Sequence, residues 1–460
     1  MNAADTAWIL AAFTAVSLMV PGLALFYGGM TSVKSTLNMM MMVLGAAAVV
    51  AVLWVAFGYS AVLGNSYGGL GLLGDLGEYA GLGQVLTEDP EASLPPALVA
   101  AFQALFACIT VALLAGGVAD RMRFGSWLVL AGLWAALVYF PVAHWVFAFD
   151  SADGSVLGGW IANDLAAVDF AGGTAVHVNA GIGALAVVLV LGKRLSWPRT
   201  PRPHNLPTTL LGAGILWFGW FGFNGGSALS AGNSAAVVVL TTFCASCSGL
   251  LGWLLVERVR DGHATTLGAV SGIIAGLVAI TPACGAVSPV GALVVGAVAG
   301  AVCPLAIGLK RRFGYDDALD VVGVHLVGGV VGTLLVGFLG TSDAPSGRDG
   351  LLHGGGFGLL GVQAAAVGAV LAYSFVVTLL IALVLDKTMG LRLPAEAEEA
   401  GVDLSVHAET AYDLTPAGAG VPEAPAVPGA HERITAHPTR SEVPPQPAAA
   451  APTVGAHGEG

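Results

Sequence analysis

Long apolar runs recur from the amino terminus to about residue 387, and short polar segments separate them. A run of about 20 residues crosses the roughly 30 Å hydrocarbon core of a bilayer as one α-helix. Only 10% of the residues are charged, whereas soluble domains carry about 25%. Membrane β-barrels instead show alternating segments of about 10 residues. The sequence therefore predicts an all-α polytopic membrane protein.

We predict eleven membrane spans, of which the eighth is the weakest by length. The first span begins close to Met1 without a basic stretch before it, so we expect it to be retained and not cleaved as a signal peptide. The predicted spans are 7–30, 38–63, 97–118, 125–149, 171–193, 208–229, 234–256, 265–282, 289–309, 321–341 and 360–386.

Lysine and arginine positions predict the orientation of these spans. If the amino terminus lies outside, all of the 17 Lys and Arg residues except Arg348 fall in cytoplasmic segments. Adding or removing one span would abolish this bias, so it supports the count of eleven. We therefore expect an amino terminus outside and a cytoplasmic carboxyl terminus.

Composition divides the chain into three segments. Residues 1–387 form the predicted membrane domain, and residues 388–413 form a polar cytoplasmic tail. Residues 414–460 are rich in Pro, Ala and Gly and are predicted to be disordered. The net charge of −12 lies largely in the carboxyl-terminal segments and in loops, so it needs no charged partner to explain it. The five cysteines lie in or near spans and predict no disulfide framework.

Spans five and ten begin with similar stretches, DFAGGTAVHVNAGIGAL and DVVGVHLVGGVVGTLL. They are five spans apart, so a second copy would be inverted, giving a five-plus-five repeat followed by a final helix. Such repeats place binding sites near the membrane midplane. Counting from Asp169 and Asp320 at about 1.5 Å per residue puts His177 and His325 within about 10 Å along the membrane normal. A hydrogen-bonded histidine pair is therefore predicted.

Ionisable side chains in hydrocarbon cost about 2.5 to 3.5 kcal/mol each on insertion scales, so their retention needs a reason. We expect His177 and His325 to share and relay a proton as neutral rings, and His144 to be a packing residue. Asp169 is either the N-cap of span five or an anion that attracts a cation at the outer mouth, and the two roles are compatible. Asp320 is expected to cap the inner start of span ten.

Aromatic residues lie beside these spans. Phe102 and Phe106 are four residues apart and share one face of span three, and Phe223 precedes Asn224 and Ser227 in span six. Such stripes usually serve packing or lipid contact. Alternatively, phenylalanine faces attract a small cation by about 0.5 to 2 kcal/mol, and stacked rings can close a pore.

Seven motifs in these segments follow one another in a recognisable order. They read PGLALFYGG (21–29), FQALFACITVALLAGGVADRMRF (102–124), DFAGGTAVHVNAG (169–181), PHNLP (203–207), WFGFNGGS (220–227), SGIIAGLVAITPACG (271–285) and DVVGVHLVGG (320–329). On these motifs the chain resembles the ammonium transporter family, relatives of the Rhesus proteins. The resemblance runs from about residue 7 to 413.

The resemblance implies an eleven-span homotrimer with one pore in each subunit. It assigns His177 and His325 as twin pore histidines, and Phe106 and Phe223 as a stacked gate. It also implies that the tail regulates transport. In many bacterial members of the family, P-II-type signal proteins dock on the cytoplasmic face.

The resemblance further implies an outer site that recruits ammonium. Its residues here would be Phe102, Phe147, Asp169 and Ser227. The family usually has tryptophan where this chain has Phe147 in the motif HWVF. Phenylalanine lacks the indole N–H and has a weaker negative face, so ammonium binding is expected to be looser.

The predicted function is ammonium uptake across the cell membrane, with methylammonium as an analogue. The site would recruit NH4⁺, remove a proton and conduct NH3, with or without separate transfer of the proton, because a neutral species avoids the cost of a charge at the midplane. The alternatives are a Rhesus-like passive channel for NH3 or CO2, and an ammonium sensor with little transport. An enzyme is not expected, because an intramembrane enzyme that used Asp and His would need a nucleophile or a metal set, and HExxH does not occur. No cofactor, metal or nucleic acid is predicted.

Overall fold

The computed structural model describes residues 1–87, 92–199 and 202–412, so the predicted disordered extension at 414–460 lies outside the described residues. Within these ranges, ten helices are long and apolar enough to cross a membrane, and one shorter apolar helix accompanies them. We number them in chain order as α1 Ala3–Met30, α2 Thr36–Leu63, α3 Pro96–Val118, α4 Phe124–Phe147, α5 Gly173–Leu191, α6 Leu206–Gly226, α7 Asn233–Asp261, α8 Thr266–Ile280, α9 Pro289–Phe313, α10 Val322–Leu339 and α11 Gly358–Thr388.

The short helix α8 is the predicted eighth span. Its 15 residues extend only about 22 Å at 1.5 Å per residue, and the chain continues as a buried, non-helical segment at 281–287. Irregular backbone at membrane depth must find hydrogen-bond partners within the protein. The Thr241 hydroxyl donates to the Cys284 carbonyl at 2.7 Å, and the Thr341 amide donates to the Ala286 carbonyl at 3.0 Å. The segment is therefore stabilised without a helix.

Proline explains an irregular turn in α4. A π-helical turn, Ala135–Tyr139, stands immediately before the last turns of this helix, which contain Pro141. Proline has no N–H and cannot bond the carbonyl four residues earlier, which belongs to Leu137. The Tyr373 hydroxyl of α11 donates to that carbonyl instead, at 2.8 Å. This hydrogen bond connects α11 to the irregular turn of α4.

Helices α5 and α10 both begin with π-helical turns, Gly173–Val178 and Val322–Leu326. These two turns contact each other and carry the two histidines. A Cβ at Gly329 would lie 2.9 Å from the Gly173 carbonyl oxygen and 3.1 Å from the His177 Cβ, and a Cβ at Gly181 would collide with the Leu326 backbone nitrogen. A glycine four residues after each histidine therefore permits the close approach. We call the two ends of the bundle the Asp169 end and the Asp317 end, after the carboxylates preceding α5 and α10.

The segment after α11 folds back against the beginning of α2. It includes one short helix, α12 Ala395–Ala400, followed by a single turn, Asp403–His407. The buried Asp403 carboxylate accepts hydrogen bonds from the Leu37 and Asn38 amides at 3.0 and 2.7 Å. A residue of the predicted tail therefore caps the first turn of α2.

Candidate functional site

Two parallel phenylalanine rings lie between α3 and α6. The centroids of Phe106 and Phe223 are 3.8 Å apart with an interplanar angle of 15°, and both rings are buried. Phe102 and Phe147 meet Phe106 edge-on at 5.1 and 6.2 Å. The four phenylalanines singled out by the sequence thus form one aromatic cluster.

Ser227 lies one turn beyond this stack, at the end of α6. Its hydroxyl donates to the Phe223 carbonyl at 2.9 Å, so the oxygen lone pairs can still accept from a hydrogen-bond donor. Ser227 and Phe147 are half-buried, whereas Phe102 is fully buried. This side of the stack therefore combines the aromatic cluster with one hydroxyl acceptor, and such groups can attract a small cation that donates hydrogen bonds.

Asp169 is the cap of α5. Its carboxylate accepts from the Gly172, Gly173 and Thr174 amides at 2.9, 2.6 and 2.8 Å, and also from the Thr174 hydroxyl. A Cβ at Gly172 would lie 3.2 Å from the Phe147 ring, so the capped turn adjoins the aromatic cluster. Of the two compatible roles, the structure shows the cap, and it places the negative charge next to the cluster.

The two imidazoles lie on the other side of the phenylalanine stack. His325 Nδ1 is 3.2 Å from His177 Nδ1, which requires that one nitrogen donates and the other accepts. Trp220 stacks on His177 at 5.5 Å and 24°, and its indole N–H donates to the Thr281 hydroxyl at 2.9 Å. Among the described residues, His177 Nε2 is buried without a hydrogen-bond partner. The side chains around the pair are mostly apolar or aromatic.

Two spaces adjoin the histidine pair. A pocket of about 20 Å³ lies between the stack and the rings, lined by Phe223, Trp220 and both histidines; a single water needs about 10 to 15 Å³. A larger cavity of about 190 Å³ begins at His325 and is lined also by Asp320. The narrow pocket is large enough for one molecule of about the size of water.

Asp317, not Asp320, caps α10, so the expectation for Asp320 is wrong. The buried Asp317 carboxylate accepts from the Val321 and Val322 amides at 3.1 and 2.7 Å. Asp320 instead forms an ion pair with Lys310. Asp317 stands eight residues before His325, as Asp169 does before His177. That equal spacing was the signal available in the sequence.

The backbone after each capping carboxylate follows the same course. The amides of Phe170 and Ala171 donate to the carbonyls of Pro282 and Thr281, directly after α8, each at 3.2 Å. Those of Ala318 and Leu319 donate to Gly117 and Gly116 of α3, at 3.3 and 3.0 Å. The third residue after each cap is left-handed, with φ of 110° at Gly172 and 65° at Asp320. A non-glycine residue there is strained by about 1 to 2 kcal/mol.

The sequence did not reveal the arginines that hold the segment before α10. Arg194 binds both carboxylate oxygens of Asp316, at 2.8 and 2.9 Å, and Arg121 donates to its carbonyl at 2.6 Å. Burial favours the protonated acid, but the hydrogen bonds and charge of Arg194 outweigh it and hold the pKa of Asp316 below its ordinary value. Burial lowers the pKa of Arg121 to about 10, so both arginines are charged at neutral pH.

Other candidate groups lie outside this arrangement. His144 is fully buried and its Nδ1 is 2.8 Å from the Val62 carbonyl oxygen, in keeping with a packing residue. The cysteines are free thiols. Within the described residues, no three or more His, Cys, Asp or Glu side chains are grouped so that they could hold a metal ion.

Comparison with known proteins agrees with the resemblance seen in the seven sequence motifs. The model of the Ammonium Transporter Family matches residues 7–412. An ammonium transporter of Mycobacterium tuberculosis is 55% identical over 438 residues, covering 91% of this chain and 92% of that protein. The crystal structure of Saccharomyces cerevisiae Mep2 is similar, with a TM-score of 0.78, 37% identity and coverage of 86% and 88%.

A second solved structure, a "Sensor Amt Protein", has a TM-score of 0.79 at 28% identity and covers 87% of this chain and 98% of its own. The matches span nearly the whole membrane region and include both histidine-bearing turns. Ten of the described helices have the length and apolar composition of membrane spans. The chain is therefore a multi-pass cell-membrane protein that belongs to the ammonium transporter family.

Proposed function

We propose that this protein takes up ammonium in three steps. It captures NH4⁺ beside the aromatic cluster, removes a proton, and passes NH3 along the two histidines. The observation that carries the proposal is the direct contact of the imidazoles, 3.2 Å between Nδ1 atoms, beside a pocket of about 20 Å³. So small and apolar a space favours neutral NH3 over a hydrated ion, because a charge at the membrane midplane is costly.

Capture is assigned to Phe102, Phe147, Ser227 and Asp169. The ring faces attract a cation by about 0.5 to 2 kcal/mol, and Ser227 can accept a hydrogen bond from it. Potassium has a similar size and the same charge as ammonium but donates no hydrogen bond. The carboxylate of Asp169 adds a negative field while its oxygens cap α5. The stack of Phe106 and Phe223 then separates the captured ion from the pore.

The histidine pair would move a proton without a stable buried positive charge. Because one Nδ1 donates and the other accepts, a proton that arrives on one ring can leave from the other as the tautomers exchange. Replacing either His177 or His325 by alanine should lower methylammonium uptake at least about tenfold, the loss expected for about 1.4 kcal/mol of barrier. Uptake and potassium exclusion that remain unchanged in both variants would refute the histidine role.

Current and flux measured on one preparation of proteoliposomes test the mode of transport. Electrogenic uptake gives a current that scales with methylammonium flux and is absent from empty vesicles. A passive NH3 or CO2 channel gives flux without current. A sensor, which the similarity to the Sensor Amt Protein keeps as a second candidate, would bind ammonium with little flux.

We also propose eleven spans, with α8 and the buried segment 281–287 forming the eighth, an amino terminus outside and a cytoplasmic carboxyl terminus. An impermeant maleimide should label Ser155→Cys in intact cells and Ser196→Cys only after lysis, since both positions are exposed in loops of opposite predicted side. The reverse pattern would invert the topology. The domain boundaries at 387 and 413 and the homotrimer belong to this proposal, as does a P-II-type partner of the regulatory tail.

A further inference from the structure

We propose that Gln363, in α11, is a positioning residue that fixes the Asp169 cap and thereby sets the affinity for the captured cation. Its side chain is fully buried. The amide nitrogen donates to the Val168 carbonyl at 2.7 Å and to the Thr333 carbonyl at 3.2 Å, while the amide oxygen accepts from the Val168 N–H at 2.8 Å. One side chain thus binds both backbone groups of the residue directly before Asp169.

These bonds connect three parts of the chain that are distant in sequence. Val168 precedes α5, Thr333 belongs to α10, and Gln363 comes from α11, which lies outside the two five-helix halves. Arg348 holds the same segment two residues earlier, donating to the Ala166 carbonyl at 2.7 Å. The backbone that leads into Asp169 is therefore held from the side of α10 and α11, not by the helix it enters.

The opposite end of the bundle supports this assignment independently. There the residue before the capping carboxylate is Asp316, and Arg194 and Arg121 hold its side chain and its carbonyl. The same backbone position is thus anchored at both ends, by charged groups at one and by a neutral amide at the other. An anchor that recurs at matching positions with different chemistry indicates that the position itself must be fixed.

A displacement of Val168 would shift Asp169 and with it the capped turn at Gly172, which adjoins Phe147. The His177 amide also donates to the Gly172 carbonyl at 3.2 Å, but the His177 ring is held separately, by stacking on Trp220 and by its contact with His325. Gln363 should therefore affect capture more than passage. This inference rests on the proposed role of the Asp169 end in recruiting ammonium.

The test compares two substitutions by methylammonium uptake in proteoliposomes containing the full chain. Gln363→Met keeps the length of the side chain and removes all three hydrogen bonds, so KM should rise about tenfold while Vmax stays within about twofold. Gln363→Glu should give a smaller increase in KM, because a buried carboxyl tends to be protonated and can then both donate to and accept from Val168.

Gln84→Met is the matched control, because Gln84 is an exposed loop residue that donates to the Glu78 carbonyl; its KM should equal that of the parent. Thermal unfolding of each purified variant checks that it is folded. A reduced Vmax or melting temperature with unchanged KM in Gln363→Met would overturn the inference and leave a structural residue only.

Asp169→Asn separates the inference from the proposed function. If Asp169→Asn raises KM and Gln363→Met does not, the positioning role is wrong and the recruitment site stands. If Asp169→Asn also leaves KM unchanged, the recruitment role of this end is wrong as well.

Discussion

The segments that lead into α5 and α10 have the same backbone plan but different charges. In both, an aspartate caps the helix, the next two amides donate to a neighbouring helix end, and a histidine follows eight residues after the cap. The third residue is Gly172 at one end and Asp320 at the other. These shared features place a histidine at the same distance from each capped helix start.

The two ends differ in the side chains that surround the capped turn. The Asp169 end has an aromatic cluster, one hydroxyl and a neutral amide anchor, whereas the Asp317 end contains the pairs Arg194–Asp316 and Lys310–Asp320. Aromatic faces beside the Asp169 carboxylate can attract a cation without a direct ion pair. At the Asp317 end the charges of Arg194 and Lys310 are paired with Asp316 and Asp320. Such pairs suit a rigid support for His325.

The largest effect is expected from breaking the ionic anchor. Arg194→Met would leave Asp316 buried and without its main partner, which costs about 3 to 5 kcal/mol of unfolding free energy. Thermal unfolding in detergent measures the loss, and Arg311→Met is a suitable control because Arg311 is exposed. Equal melting temperatures for the two variants would contradict the anchoring role.

A smaller effect should distinguish the true cap from its neighbour. Asp317→Ala removes two buried hydrogen bonds to backbone amides and should cost about 1 to 2 kcal/mol. Asp320→Asn should cost less, because asparagine tolerates the left-handed backbone and the Lys310 ammonium also donates to the Asp317 carbonyl. Unfolding measurements that give the opposite order would restore Asp320 as the cap.

The smallest effect concerns the aromatic end alone. Phe147→Trp should lower the methylammonium KM by about two- to tenfold, since tryptophan attracts a cation more strongly. Leu137→Trp, at an exposed position earlier in α4, controls for a general effect of added indole. An unchanged KM would mean that Phe147 does not face the captured ion.

Local patterns predicted much of this molecule. Apolar runs identified the helices, and Phe102 and Phe106 share a face because they are four residues apart. The histidines were paired from a short repeat, yet the cap of α10 was misassigned. Asp320 directly precedes the helical stretch, whereas Asp317 reaches the same amides only because residues 317–321 fold as an irregular segment. Sequence spacing cannot show that course of the backbone.

The sequence by itself determined the membrane environment, the helical class and the residue types of the histidine pair and the aromatic cluster, because hydrophobicity, periodicity and residue type are local properties. Only the tertiary structure decided that Phe106 stacks on Phe223, that Asp317 caps α10 and that Gln363 binds Val168, a residue 195 positions away. Those contacts depend on how α3, α5, α6, α10 and α11 pack, and packing is a property of the whole bundle. The similar backbone course at the Asp169 end and the Asp317 end arises from that packing, whereas the different charges at the two ends follow from residue type.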